Sequence, residues 1–137
     1  MIVGIGTDFV NQKRIAKILG RFGQRFICRI LVPSERHRYE QSVQKAAFLA
    51  KRFAVKEACA KALGWGFRGG VSFQDFTVIN SPQGQPQVRL SGQAGKRAAA
   101  LGITNIQVSI SDESTHALAF VVLEGLNKEK HDVLQTL

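Results

Sequence analysis

The stretch from Lys45 to Leu63, KAAFLAKRFAVKEACAKAL, constrains this chain more than any other. It holds seven alanines and neither glycine nor proline, and the GWG triplet at 64–66 stops it. Alanine loses no rotamer freedom on entering a helix, so the segment predicts one long helix. At about 100° per residue, Leu49, Phe53, Ala60 and Leu63 share an apolar stripe that requires a packing partner. Glu57 falls about 40° from Phe53, and Lys61 lies about 40° further round. Glu57 is therefore expected at the edge of the buried face.

The flanking segments supply strands. Met1 to Thr7 (MIVGIGT) reads as a buried strand leading into Asp8, and strand alternation puts Ile2, Gly4, Gly6 and Asp8 on one face. The two glycines clear space beside the carboxylate. GIG lacks the third glycine of a dinucleotide fingerprint, so close packing is the simpler reading. From Asn11 the period turns helical through Ile15, Ile18, Leu19, Phe22 and Phe26, with Gly20 and Gly23 expected to break or bend the helix. A further helix runs from Pro33–Ser34 to about Gln41. Segments 73–79 and 87–90 predict a hairpin around Asn80–Gly84, Ser91 an N-cap, and 106–111 and 117–123 two more strands. The sum is an α+β single domain, an antiparallel sheet with a long central helix, followed after Gly125 by a polar tail.

Of the 137 residues, 19 are Lys or Arg and 10 are Asp or Glu, giving a net charge of +9. The excess is lopsided: residues 1–70 carry 14 basic and 4 acidic side chains, and the remainder 5 and 6. The first half is thus expected to face a polyanion, whether nucleic acid, acidic protein, phosphate-rich ligand or membrane surface. Between Lys13 and Arg38 there are eight basic residues against Glu35 alone, an uncompensated field suited to docking an acidic partner. Cys28 and Cys59 form neither a disulfide framework nor a zinc spacing and read as buried thiols in a reducing compartment. With no signal sequence and no apolar run of about 18 residues, a soluble cytoplasmic protein is expected.

Asp8 and Glu57 stand against the basic field in apolar or small-residue surroundings. A buried carboxylate needs a cation, either a Lys or Arg or a hard divalent ion bridging both groups together with water and phosphate oxygens. Residue spacing leaves both solutions open. His116 is read as structural, with phosphate contact the alternative, and Ser109 and Ser111 as strand positions.

IVGIGTDFV with Arg14–Ile15, FLAKRFAVKEACAKALG, FRGGVSF, the Gly84–Gln85–Pro86 turn and VSISDE together resemble holo-[acyl-carrier-protein] synthases, the short type of 4′-phosphopantetheinyl transferase, over about residues 1–124. The resemblance implies that fold for a domain at 1–125, with a tail at 126–137. It also implies transfer of 4′-phosphopantetheine from coenzyme A to a serine of apo acyl carrier protein, releasing adenosine 3′,5′-bisphosphate, in fatty acid biosynthesis. Asp8 and Glu57 match the family's Mg²⁺ ligands. Lys61 joins them on the phosphates, Arg52 and Gly64 to Gly66 line the coenzyme A site, and Arg14, Arg21 and Arg25 dock the acidic carrier. A homotrimer with interfacial active sites is implied as well. The serine proton goes to a metal-held water or to Asp8, a choice left open.

Three positions depart from the family pattern: Asn11 for the usual Glu, Trp65 for Thr, and Asp112 where many members have His. Trp65 bears on the coenzyme A contacts and Asn11 on the support behind Asp8. A basic RNA-binding domain is the alternative class, but one Tyr, one Trp and core-spaced Phe residues offer no stacking platform. An inactive carrier-binding adaptor is the third.

Overall fold

The computed structural model describes residues 1–126, in the order β1 (Ile2–Asn11), α1 (Gln12–Phe22), α2 (Gln24–Ile30), α3 (Pro33–Gln41), α4 (Lys45–Ala62), a 3₁₀ turn (Phe73–Asp75), β2 (Phe76–Asn80), β3 (Pro86–Leu90), α5 (Gly92–Ala100), β4 (Ile103–Asp112) and β5 (His116–Gly125). Two antiparallel sheets form, β1-β5-β4 and the hairpin β2-β3. This is the expected α+β architecture, and α4 is its centre. Ala50, Ala54, Ala58 and Ala60 are fully buried, because small side chains let the helix lie close to the sheet. The tail expected at 126–137 lies outside the described residues except Leu126, whose N–H donates to Gly102 O at 2.9 Å.

On β5 the inward side chains Ala117, Ala119, Val121 and Leu123 are buried against α4. The alternate residues are apolar too, so the outer sheet face leaves Ile5, Phe9, Leu118 and Phe120 41–66% exposed. β1 is thus covered on one face only, a correction to the fully buried strand expected from sequence. The register shift between Ile2 and Gly4 also takes Ile2 off the Gly4–Gly6–Asp8 face, leaving it exposed.

Gly20 does not break α1; the break is Gly23, with φ 54° and ψ −127°. Asn11 caps α1, its side chain accepting from Lys13 N at 2.8 Å. The cap of α5 comes from Asp75, whose Oδ2 accepts from Ala94 N at 3.1 Å, rather than from the Ser91 side chain. Cys59 is buried, but Cys28 is exposed, because it lies on the outer side of α2.

Candidate active site

The site begins with the two glycines before Asp8. A Cβ on Gly4 would lie 2.1 Å from Ala62 O, and one on Gly6 would lie 2.0 Å from Ala58 O. β1 therefore packs backbone to backbone on α4, as the close-packing reading of GIG required. That approach sets Asp8, on the same strand face, beside the turn of α4 that carries Glu57 and Lys61. Lys61 Nζ donates to Asp8 Oδ1 at 3.1 Å and to Thr7 O at 3.0 Å. The second carboxylate oxygen, Asp8 Oδ2, is buried without a hydrogen-bond partner among the described residues.

Glu57 is half-buried at the helix edge. Burial pushes its carboxyl above the usual carboxylate range and the negative charge of Asp8 pushes it further, while Lys61 and Arg14 pull it back. Both solutions to the buried carboxylates are thus visible at once. Lys61 partners one oxygen of Asp8, and the other oxygen is left orphaned among the described residues.

Those residues fit a hard divalent ion. Among the described residues no group of three or more His, Cys, Asp or Glu converges, so such an ion would take two protein carboxylates and fill its other positions with water or phosphate oxygens, as Mg²⁺ does.

Glu57 also lies at the edge of a cleft of about 440 Å³ between α1, α2, α4 and the 3₁₀ turn. Phe22, Phe26, Phe53 and Phe73 supply its apolar lining, and Arg14, Arg25 and Arg29 its charge. Phe53 stacks on Phe73 with centroids 5.4 Å apart, and Phe73 on Phe67 at 4.2 Å. The break at Gly23 divides the expected basic helix in two. Arg14 on α1 and Arg25 on α2 line the cleft, whereas Arg21 lies over the ring of Phe22, 5.2 Å from its centroid, and is not among the lining residues. Arg29 was missed by sequence reasoning, although its i+4 spacing from Arg25 placed both on one face.

Arg52 is held inside the fold. The side chain expected to line the coenzyme A site is 5% exposed, donates to Val78 O and stands 3.5 Å from Glu35. Five residues from Glu57 is about 140° of helix, so Arg52 projects from another face. Gly64 and Gly66 take left-handed φ values of 89° and 60° and donate their N–H groups to Lys61 O and Ala60 O. They end α4 one turn beyond Lys61, with their donors already satisfied. Trp65 beside them carries Arg97 over its ring at 4.4 Å. Asp112 faces Lys51 at 3.7 Å on the surface. His116 stacks on Phe9 with centroids 4.5 Å apart, in keeping with a structural role.

Sequence reasoning also overlooked the buried cluster next to the site. Lys56 is fully buried, with Nζ 2.6 Å from Glu35 Oε1. The signal was present: Lys56 falls within about 20° of the line joining Leu49 to Leu63, the middle of the apolar stripe.

Comparison with known proteins gives the family. The model of the 4′-phosphopantetheinyl transferase superfamily matches residues 4–121. A holo-[acyl-carrier-protein] synthase of Vibrio cholerae is 51% identical over 124 residues, 90% of this chain and 98% of that protein. The crystal structure of the holo-[acyl-carrier-protein] synthase of Neisseria meningitidis superposes with a TM-score of 0.85 at 44% identity, covering 90% of this chain and 99% of that one. The Helicobacter pylori synthase, solved in complex with coenzyme A, superposes with a TM-score of 0.77 at 36% identity over 88% of this chain and 99% of its own. With a family match from Gly4 to Val121 and a fold that superposes on a solved synthase, this chain belongs to the 4′-phosphopantetheinyl transferase superfamily.

Proposed function

We propose that this protein is a holo-[acyl-carrier-protein] synthase: it transfers 4′-phosphopantetheine from coenzyme A to a serine of apo acyl carrier protein in fatty acid biosynthesis. The observation that carries the reading is the Asp8–Glu57 pair, incompletely neutralised beside an arginine-lined cleft in a chain of this family. In the transfer, the serine oxygen attacks the β-phosphorus, the bond to the oxygen bridging the two phosphorus atoms breaks, and adenosine 3′,5′-bisphosphate leaves. Asp8 and Glu57 would hold Mg²⁺, with Lys61 keeping Asp8 in place and its half-exposed ammonium free to meet the phosphates. The chemistry supplied by the bound ion is charge neutralisation on the pyrophosphate and the departing phosphate. Gly64 and Gly66 shape the adjoining coenzyme A site. Arg14, Arg25 and Arg29 at the cleft, with Arg21 on the outer face of α1, receive the acidic carrier. The serine proton has two acceptors in reach of this reading, Asp8 and water.

The protein acts as a cytoplasmic homotrimer with active sites between subunits. The exposed apolar sheet face of Ile5, Phe9, Leu118 and Phe120 supports that assembly, since such a patch marks an interface. No helix among the described residues is long and apolar enough to cross a membrane.

The test is incubation with apo acyl carrier protein, coenzyme A and Mg²⁺, read by carrier mass. A gain of one phosphopantetheine group is expected, and an unchanged carrier mass refutes the reading.

A further inference from the structure

The Lys56 ammonium, one residue before Glu57, is held by three other segments of the fold. It donates to Ile30 O at the end of α2 at 2.6 Å, to Glu35 Oε1 on α3 at 2.6 Å and to Phe73 O in the 3₁₀ turn at 3.3 Å. Glu35 in turn accepts from Val32 N and from Val78 N, each at 2.9 Å. Ile30 and Phe73 both line the cleft, and Ile30 closes the helix that carries Arg25 and Arg29. One side chain of α4 therefore fixes two walls of the cleft relative to the helix that presents Glu57 at its edge.

We propose that Lys56, with Glu35, is a positioning residue that sets the arginine wall of α2 at its working distance from Glu57, so that a carrier docked on that wall delivers its serine to the site. The inference rests on the proposed transfer reaction and adds to it a residue pair that touches neither substrate. A buried charged pair is weak evidence for stability alone, because well-packed apolar residues often stabilise as much. What apolar residues cannot supply is a donor for both the Ile30 and Phe73 carbonyls. Loosening the pair moves α2 against α4 while leaving Asp8, Lys61 and the glycine turn at the end of α4 in place.

That separation gives a signature that a merely structural role lacks. A smaller folded fraction lowers the apparent kcat and leaves both KM values alone, whereas a displaced arginine wall raises KM for the carrier and leaves KM for coenzyme A unchanged. The experiment compares the wild type with Glu35→Gln and with the double variant Lys56→Met/Glu35→Gln, each assayed about 15 °C below its own melting midpoint. Carrier binding is measured in parallel by anisotropy of fluorescently labelled apo acyl carrier protein. The double variant is expected to raise KM and Kd for the carrier at least tenfold with less than a twofold change in KM for coenzyme A, and Glu35→Gln to shift them about threefold. Should the double variant fail to fold, Glu35→Gln decides. Carrier KM and Kd within twofold of the wild type in the folded variants would overturn the proposal. A wild type that binds the carrier and transfers nothing refutes the transferase reading instead, and carrier Kd then judges Lys56 alone.

Discussion

Helix α4 carries two carboxylate–cation sets, and they are built in opposite ways. At Glu35, both oxygens accept backbone N–H groups, Lys56 adds a short charged bond and Arg52 stands behind. Burial pulls the ammonium of Lys56 and the guanidinium of Arg52 down, and Glu35 opposes that shift in each. At Asp8, one oxygen accepts from Lys61, the other accepts from none of the described residues, and Glu57 adds a second negative charge nearby. The first set is closed and holds the fold. The second is left open among the described residues, and an incompletely satisfied polar group in an otherwise well-paired protein is where function is to be sought.

Substitutions can break the two sets separately. The largest effect is expected on chemistry: Asp8→Ala or Glu57→Ala should lower transfer by at least about a thousandfold, the several kcal/mol that metal-assisted charge stabilisation supplies. Their urea midpoints should stay near that of the wild type, since each removes one member of a repelling pair. Lys56→Met should show the reverse emphasis, with a stability loss of about 3–5 kcal/mol in urea unfolding, because Glu35 stays buried without its closest cation. Gly6→Ala tests the approach that joins the two regions: the new Cβ meets the Ala58 carbonyl, and β1 must move away from α4. A loss of about 1–3 kcal/mol is expected, with reduced transfer as Asp8 is displaced.

The smallest effect separates the cysteines. Burial pushes the Cys59 thiol up to about 12 from its ordinary value of 9.0. The native protein should therefore react with a thiol reagent near neutral pH at Cys28 alone, and at both residues once unfolded. The sign for stability follows: below pH 9 Cys59 is protonated in both states and contributes nothing. As pH rises from 9 toward 12 the unfolded chain loses the proton first, so stability should fall over that window. A thiol count with and without denaturant, and urea midpoints at pH 8 and 10, check both statements.

Much of this was legible where the cause is local. The alanine run specifies α4 unaided, and GIG before Asp8 announces a strand pressed against a neighbour. Glu57 at the edge of the stripe and Lys61 one turn on follow from helical spacing. Long-range pairing was less visible. Lys56 in mid-stripe signals a buried cation, but only the fold brings Glu35 to Lys56 and Arg52 across 21 and 17 residues of sequence. The arginine wall needed the turn at Gly23, whose backbone sends α2 off the line of α1. An apolar strand such as β5 does not say which face its own chain will cover, and only the fold separates exposed Leu118 and Phe120 from buried Ala119 and Val121.

The central claim is that the open set at Asp8 and Glu57 is a divalent-cation site required for transfer. Its most direct test is the initial rate of carrier modification in excess EDTA, followed by titration of Mg²⁺ into the wild type and into Asp8→Asn. The account predicts no transfer in EDTA, full recovery in the wild type, and a Mg²⁺ requirement raised at least tenfold in the variant. Undiminished transfer in EDTA, or identical Mg²⁺ curves for the two proteins, would contradict it.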